Sequence, residues 1–283
     1  MACNIYEPNS IRKTLTKGNF MNMLKKCRYG LMIYNNSDIW VGRSIEKYGE
    51  FSESEVQVFQ DIVKPGNVVL NLGANIGCHS VAFSRLVGPN GVVFSYEPER
   101  NNFTTLAGNI AINNLRNVYA FQKAVGAKSG LIAVPEINIE KTVNFGGLSL
   151  VHDYSGSSHY PVPLITLDEC NFIKCNLIKI DVEGMEKLAL QGSQQTIEKN
   201  KPILYVENDR EEKSKDLIEY IKSLDYIVYK HLAPLFNPNN YFGDKENIFV
   251  NENNALIVSS NLYCHHKSID SPISVKKFAM ELI

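Results

Sequence analysis

The sequence predicts an α/β fold: a seven-stranded, mostly parallel sheet with helices on both faces, preceded by an N-terminal extension of a helix and a β-hairpin. Three observations carry this. From Asn67 onward, short apolar runs rich in β-branched residues alternate with stretches of helical periodicity, the order that lays strands side by side under packed helices. The first run, "NVVLNL", passes through the glycine-containing "LGANIG" straight into a helical stretch. The second run, "VVFSYE", closes on an acid, Glu97.

The extension comes first in the chain. A polar, Lys-bearing stretch predicts a helix from about Ser10 to Arg28. "GLMIY" and "IWVGR" flank Asn35, Asn36, Ser37 and Asp38, turn formers that predict a hairpin. In "FSESEVQVFQDIV", Ser52 and Glu55 fit a capping box, and Val56, Phe59, Ile62 and Val63 make an apolar helical stripe that Pro65-Gly66 ends. After "NVVLNL" a helix runs from Asn75 to Val87, with Cys78, Val81, Ala82 and Leu86 on one face and Gly88-Pro89 as its stop.

"VVFSYE" is followed by the helix "NNFTTLAGNIAIN", which turns Phe103, Leu106 and Ile110 inward. "VYAFQKAV" and "LIKIDV" are the third and fourth strands, with a helix over "EKLALQGSQQTIEK". "PILYVE" is the fifth, "KSKDLIEYIKSL" its helix, "YIVYK" the sixth and "NALIVSS" the seventh. Residues 126–165 and 231–254 interrupt the rhythm with Gly, Pro, Asn and aromatics, and long connections of that kind often carry function. The expected division is an extension over 1–50, a main domain over 51–265 and a C-terminal tail over 266–283. The extension serves either as a lid over substrate or as a homodimer surface.

Composition narrows the partners. The 283 residues are 44% hydrophobic and 21% charged, ordinary for a globular chain. A formal net charge of -1 provides no electrostatic reason to expect nucleic acid. The six cysteines form no C-x-x-C pair and read as free intracellular thiols. The first residues lack the apolar core of a signal peptide, and no stretch approaches the roughly 18 apolar residues that span a bilayer. The expectation is a cytoplasmic protein with no membrane partner.

The glycine turn is the first candidate site. A strand that enters a helix through glycines exposes backbone N–H groups beside a helix N-terminus, at the strand end where open sheets bind ligands. The dinucleotide fingerprint G-x-G-x-x-G would need glycine at 75 and 78, where this chain has Asn75 and Cys78. No Gly-Lys-Ser/Thr follows either, so a P-loop is excluded. Glu97 falls roughly twenty residues beyond Gly73, where such folds place the acid that binds ribose hydroxyls. Turn and acid together describe a nucleoside site without a strong phosphate cradle; the plainer alternative is a tight strand–helix packing turn and a solvated strand end.

"VVLNLGANIGCHS", "VVFSYEPERNNFTTLAGNIAINN", "LITLDE", "LIKIDVEGMEKLALQG" and "KPILYVEND" together resemble the FkbM-type family of S-adenosylmethionine-dependent methyltransferases. The likeness runs from about Tyr48 to about Tyr229, with "IDVEG" its most specific block. It implies a class I methyltransferase (Rossmann-like) fold, S-adenosylmethionine as methyl donor and a hydroxyl acceptor on a sugar or small natural product. By the same resemblance Gly73, Ala74, Asn75 and Gly77 would cradle the donor's amino-acid part, Glu97 would hold its ribose, and Pro98 and Asn102 would lie near ribose and adenine. "KYGEFSESEV" implies that Tyr48 and Glu50 close over the cofactor. Asn71 departs from the family's usual Asp and brings no charge to the donor's ammonium.

Methyl transfer to an alcohol needs alignment and a place for the hydroxyl proton. Asp181, with Glu183 just beyond it, ends the fourth strand, and Glu207-Asn208 end the fifth; both should open onto the crevice of the glycine turn. Asp181, Glu207 and Asn208 resemble the magnesium site of catechol-type O-methyltransferases and are all oxygen donors, as Mg²⁺ prefers. The plainer alternatives are that Asp181 caps the next helix and Glu207 pairs with Arg210. His231, at the end of the sixth strand, is a second candidate base, against a packing role. Phe236, Asn239, Asn240, Tyr241 and Phe242 mix rings and amides as sugar-binding loops do, or form an ordinary packed loop.

Weaker signals have plain readings. "YCHH" is a solvated tail, Cys170 and Cys175 are apolar fillers, and "NDREEKSKD" is the solvated start of a helix. Three other functions stay open or weaker: N-methylation, an inactive cofactor-binding scaffold supported by Asn71, and a nicotinamide oxidoreductase disfavoured by the missing glycines.

Overall fold

The structure, a computed structural model, describes residues 21–137, 144, 146, 147 and 158–283. Its first elements differ from the expected helix and hairpin. Residues 10–20 of the expected helix lie outside the described residues, and Asn22–Lys26 is strand β1, paired antiparallel with β2 (Leu31–Asn35) across the Cys27–Gly30 turn. "IWVGR" is not a strand. Asn35 Oδ1 accepts from Ser37 N, and the Asp38 carboxylate accepts from Trp40 N and Gly42 N. Those bonds satisfy N–H groups that a helix start leaves free, so α1 (Val41–Tyr48) begins where a second strand was expected.

Helix α2 (Glu53–Ile62) follows, and its capping box is altered. Ser52 is left-handed at φ 48, and its hydroxyl donates to Glu55 Oε1 at 2.9 Å instead of accepting from the helix backbone. Next come β3 (Val68–Leu72), α3 (Cys78–Val87), β4 (Val92–Tyr96), α4 (Arg100–Ile112) and β5 (Val118–Phe121). Asn109 on α4 and Asn113 just past its end each donate to and accept from the β2 backbone, at Ile33 and Leu31 respectively. Two side-chain amides thus take the place of a neighbouring strand and fix the hairpin to the domain.

"VYAFQKAV" is two strands. After β5 the chain bends at Gln122, and β6 (Ala124–Val125) joins a separate three-stranded sheet with β7 (Gly130–Pro135) and β8 (His159–Ile165), in the order β6-β8-β7. The remaining elements are β9 (Leu177–Ile180), α5 (Glu186–Gln191), α6 (Gln194–Asn200), β10 (Ile203–Glu207), α7 (Glu211–Ser223), β11 (Tyr226–Pro234), β12 (Val258–His266) and β13 (Glu281–Leu282). The expected single helix over 186–199 breaks at Gly192, where a Cβ would stand 2.0 Å from Gly126 O.

The main sheet is eight-stranded, in the order β13-β11-β12-β10-β9-β3-β4-β5. The five strands from β10 to β5 run parallel, β12 is reversed between β10 and β11, and the two-residue β13 adds one edge strand to the seven expected. Alternate residues feed two cores. Val69, Leu177, Ile203 and Tyr205 pack under α2 and α3 with Phe59 and Phe83, while Leu70, Leu72, Ile178, Ile180, Leu204 and Val206 fill the other face. Both faces are covered, which is why these strands read as nearly unbroken apolar runs.

"YCHH" is not a solvated tail: Tyr263, Cys264 and His265 are buried within β12, and Ile273 and Met280 beyond it join the core. Among the described residues, no helix is long and apolar enough to cross a membrane.

Candidate active site

The strand ends of β3, β4, β9 and β10 converge on one crevice. At the end of β3 the chain turns so tightly that both Gly73 N and Ala74 N donate to Tyr96 O, each at 2.9 Å. Gly73 sits at φ +75, and a Cβ there would lie 1.6 Å from Asp181 O; no other residue type fits between the two strand ends. Gly77, at φ +94, lets α3 approach Leu106. Asn75 takes a left-handed φ of 51, a conformation Asn tolerates better than most residues. The turn is therefore shaped for a close backbone approach, with Gly73, Ala74 and Asn75 lining the crevice.

Glu97 sits just past β4 and is 6% exposed. Its Oε2 accepts from Asn75 N at 2.7 Å and its Oε1 from Glu99 N at 2.9 Å. Burial pushes its carboxyl up to about 8 against the pull of those two N–H groups. The bonds fix the carboxylate plane and leave one lone pair on each oxygen, a geometry that suits two vicinal hydroxyls. Glu99 caps α4 by accepting from Asn102 N at 2.7 Å. Pro98, Glu99 and Asn102 line a narrow cleft together with Lys123, Ala124 and Val125.

A second cavity, of about 440 Å³, lies on the other side of the turn. Gly73, Glu97, Asp181 and Glu183 line both spaces, so a molecule in the cleft and one in the cavity would meet at the turn. Phe51, Glu55, His79, Lys179, Glu207 and Asp209 are among the residues around the larger cavity.

Asp181 and Glu207 are brought together as expected. Lys179, 2% exposed, donates to Asp181 Oδ2 at 2.8 Å. Burial pushes the Asp181 carboxyl up, but the adjacent ammonium outweighs it and holds it below the usual range. Burial and the Asp181 charge push the Glu207 carboxyl well above its range. Glu183 is raised to about 7 by burial and by Asp181, and takes a 2.8 Å bond from Arg210. Neither plain alternative holds: Asp181 precedes the first turn of α5 by several residues, and Arg210 pairs with Glu183 instead of Glu207.

The expected magnesium set is not assembled. The Asn208 amide turns away and donates to Ser214 Oγ at 2.9 Å. Carboxylate oxygens of Asp181, Glu183 and Glu207 do lie within 4.8 Å of one another, but Lys179 already supplies the cation beside Asp181 and Arg210 the one beside Glu183. With two of the three carboxylates already paired to protein cations and Asn208 turned away, these residues do not fit a resident divalent ion.

Four other expected site residues lie elsewhere. His231 is inside β11 and 3% exposed, its Nδ1 bonded to Tyr205 Oη at 2.8 Å, and burial lowers it to about 4. It packs in the sheet and does not line the crevice. Tyr48 bonds Glu246 O and Ile248 N through its hydroxyl, and Glu50 accepts from Arg28, Asn237 and Tyr241 N. Both hold the 236–248 loop against the domain instead of covering a cofactor. That loop's aromatics are outside the cavity wall, which takes Trp40 and Phe51 as its rings. Asn71 is fully buried and donates to Ser80 Oγ at 3.0 Å, so it faces α3 and shapes the turn from beneath.

Glu55, His79 and Lys179 are site residues that sequence reasoning missed. Lys179 had a signal, a lone cation inside the apolar run "LIKIDV". Glu55 was absorbed by the capping-box reading, and His79 by the helix that follows the glycine turn.

The methyltransferase FkbM domain pattern matches residues 71–228. No curated protein matches the chain. Among solved structures, the methyltransferase FkbM of Methylobacillus flagellatus KT is 17% identical with a TM-score of 0.47, covering 74% of this chain and 50% of its own. This chain thus spans half the length of that relative. Precorrin-6y C5,15-methyltransferase of Geobacter metallireducens GS-15 is 13% identical at TM-score 0.44, covering 76% and 87%. A SAM-dependent O-methyltransferase of Thermotoga maritima is 13% identical at 0.39, covering 77% and 66%.

Proposed function

As the chain belongs to the FkbM methyltransferase family, we propose that it transfers the methyl group of S-adenosylmethionine to a hydroxyl of a sugar or small natural product. The observation that carries this reading is Glu97, fixed by two backbone N–H groups beside a glycine with no room for a Cβ. Glu97 accepts the ribose hydroxyls, Pro98 and Asn102 border the adenosine cleft, and Gly73, Ala74 and Asn75 admit the donor's amino-acid part close to the backbone. When bound, the donor supplies a methyl carbon on a sulfonium, which an acceptor oxygen displaces in line while the C–S electron pair stays on sulfur.

The chain's own residues hold the acceptor and take its proton. Asp181 borders both spaces and is ionised beside Lys179, so it accepts the hydroxyl proton as the new C–O bond forms. The oxygen becomes far more acidic during that step, so a carboxylate of lowered basicity suffices. The Lys179 ammonium, 2.8 Å from Asp181, keeps it in place. O-methylation is favoured over N-methylation because a carboxylate fixed at the junction serves a nucleophile that must lose a proton.

Calorimetric titration with S-adenosylmethionine and S-adenosylhomocysteine, on wild type and Glu97→Ala, tests the donor site. Binding that weakens at least tenfold in the variant supports the reading. Absence of binding to the wild type, or an unchanged affinity in the variant, would overturn it.

A further inference from the structure

The floor of the larger cavity holds a buried imidazole, His79, facing the carboxylate of Glu55, which also takes a bond from Ser259. Glu55 is 4% exposed and His79 7% exposed. Glu55 Oε1 accepts from Ser52 Oγ at 2.9 Å and more weakly from Asn261 Nδ2 at 3.4 Å. Its Oε2 faces His79 Nε2 across 3.7 Å, too far for a hydrogen bond. His79 Nε2 has no hydrogen-bond partner among the described residues. Burial and the nearby Lys179 charge lower His79 to about 3, so the imidazole is neutral. In its Nδ1–H tautomer it presents a second acceptor to the carboxylate. A buried ring nitrogen left unmatched is costly, and a guest group with two or more hydrogens would bond it and the facing Glu55 carboxylate at once.

Charge selects the kind of guest. Glu55 and Asp181 both act on one buried ammonium, Lys179, which is committed at 2.8 Å to Asp181. Arg210 pairs with Glu183. Among the described residues Glu55 has no lysine or arginine partner and faces only His79. The rings of the cavity wall, Trp40 and Phe51, are surfaces that a cation or a sugar face favours.

We infer that the larger cavity is an acceptor subsite for an amine-bearing polyhydroxylated molecule, with its ammonium between Glu55 and His79 and a neighbouring hydroxyl toward Asp181. This rests on the donor reading above. An ammonium held there keeps its proton and has no lone pair to attack with, so the methyl group goes to oxygen and the amine serves recognition.

The test titrates three matched probes into protein saturated with S-adenosylhomocysteine: a methyl glucosaminide, a methyl glucoside and a methyl glucuronide. The cationic glycoside should bind at least tenfold tighter than the neutral one, and the anionic one weakest. The preference should collapse in Glu55→Gln, with thermal unfolding confirming its fold, and in His79→Gln as a second variant. Equal affinities, a preference for the neutral or anionic probe, no binding of the glucosaminide, or a preference that survives in both variants would overturn the inference. A failed S-adenosylhomocysteine titration would sink the donor reading alone; the glycosides are then titrated into the free protein under the same criteria.

Discussion

Replacing Gly73 by Ala probes the turn most severely. The added Cβ would start 1.6 Å from Asp181 O, a backbone atom that cannot swing aside. The ends of β3 and β9 would have to part by more than an ångström, against the 3.0 Å bond from Asp181 N to Leu72 O that ties them. Losing that bond costs about 1 kcal/mol, holding Ala at positive φ about 1–2 kcal/mol, and the overpacking about 1–3 kcal/mol. The expected destabilisation is therefore roughly 3–6 kcal/mol, a large part of a typical domain's stability. Gly66→Ala is the control, because Gly66 also has a positive φ of +82 but nothing within 4 Å of a Cβ, so it should lose only about 1–2 kcal/mol. Urea unfolding of the two variants reads the difference, and S-adenosylhomocysteine affinity should fall at least tenfold in Gly73→Ala alone. If Gly73→Ala were no less stable than Gly66→Ala and bound the nucleoside normally, the steric reasoning about the turn would be wrong.

The same residues yield further expectations. Glu97 sits at about 8 in the folded chain against an ordinary 4.5, so its stabilising contribution is full below 4.5 and lost as pH rises through about 8. Ribose hydroxyls favour the ionised form, so 5′-methylthioadenosine should bind more tightly as pH climbs across 8, a trend that calorimetry should find flattened in Glu97→Gln. Lys179→Met strands acids in the crevice and should destabilise by about 2 kcal/mol, less than for a fully buried pair because the Asp181 side chain is 35% exposed. Denaturant unfolding should show much of that loss returned in the Lys179→Met/Asp181→Asn double variant. Millimolar magnesium should leave the thermal midpoint unchanged; a clear rise would assign a cation to Asp181, Glu183 and Glu207.

How far the sequence could be read depended on how local each signal was. The alternation from "NVVLNL" to "YIVYK" was legible because strands covered on both faces are apolar throughout, and helices between them repeat every three to four residues. Gly73, Asn75 and Glu97 were legible because a glycine turn after one strand and an acid at the end of the next are a recurring pair in folds of this kind. The extension was misread where side chains set the outcome. Asp38 caps a helix that its turn-forming neighbours disguised, and β1 pairs in a polar stretch with no apolar alternation to mark it. His231, Tyr48 and Glu50 were misplaced because only tertiary packing decides whether a polar residue faces a crevice or braces a loop. Glu55 and His79 reach the site from α2 and α3 across more than twenty residues of chain, and no local pattern pairs them.

A crystal structure of the chain with S-adenosylhomocysteine is the most direct test of the donor site. The expected result places both ribose hydroxyls about 2.5–3.0 Å from the Glu97 carboxylate, with the sulfur at the junction beside Asp181. A nucleoside bound elsewhere, or a Glu97 carboxylate with no ribose partner, would contradict it.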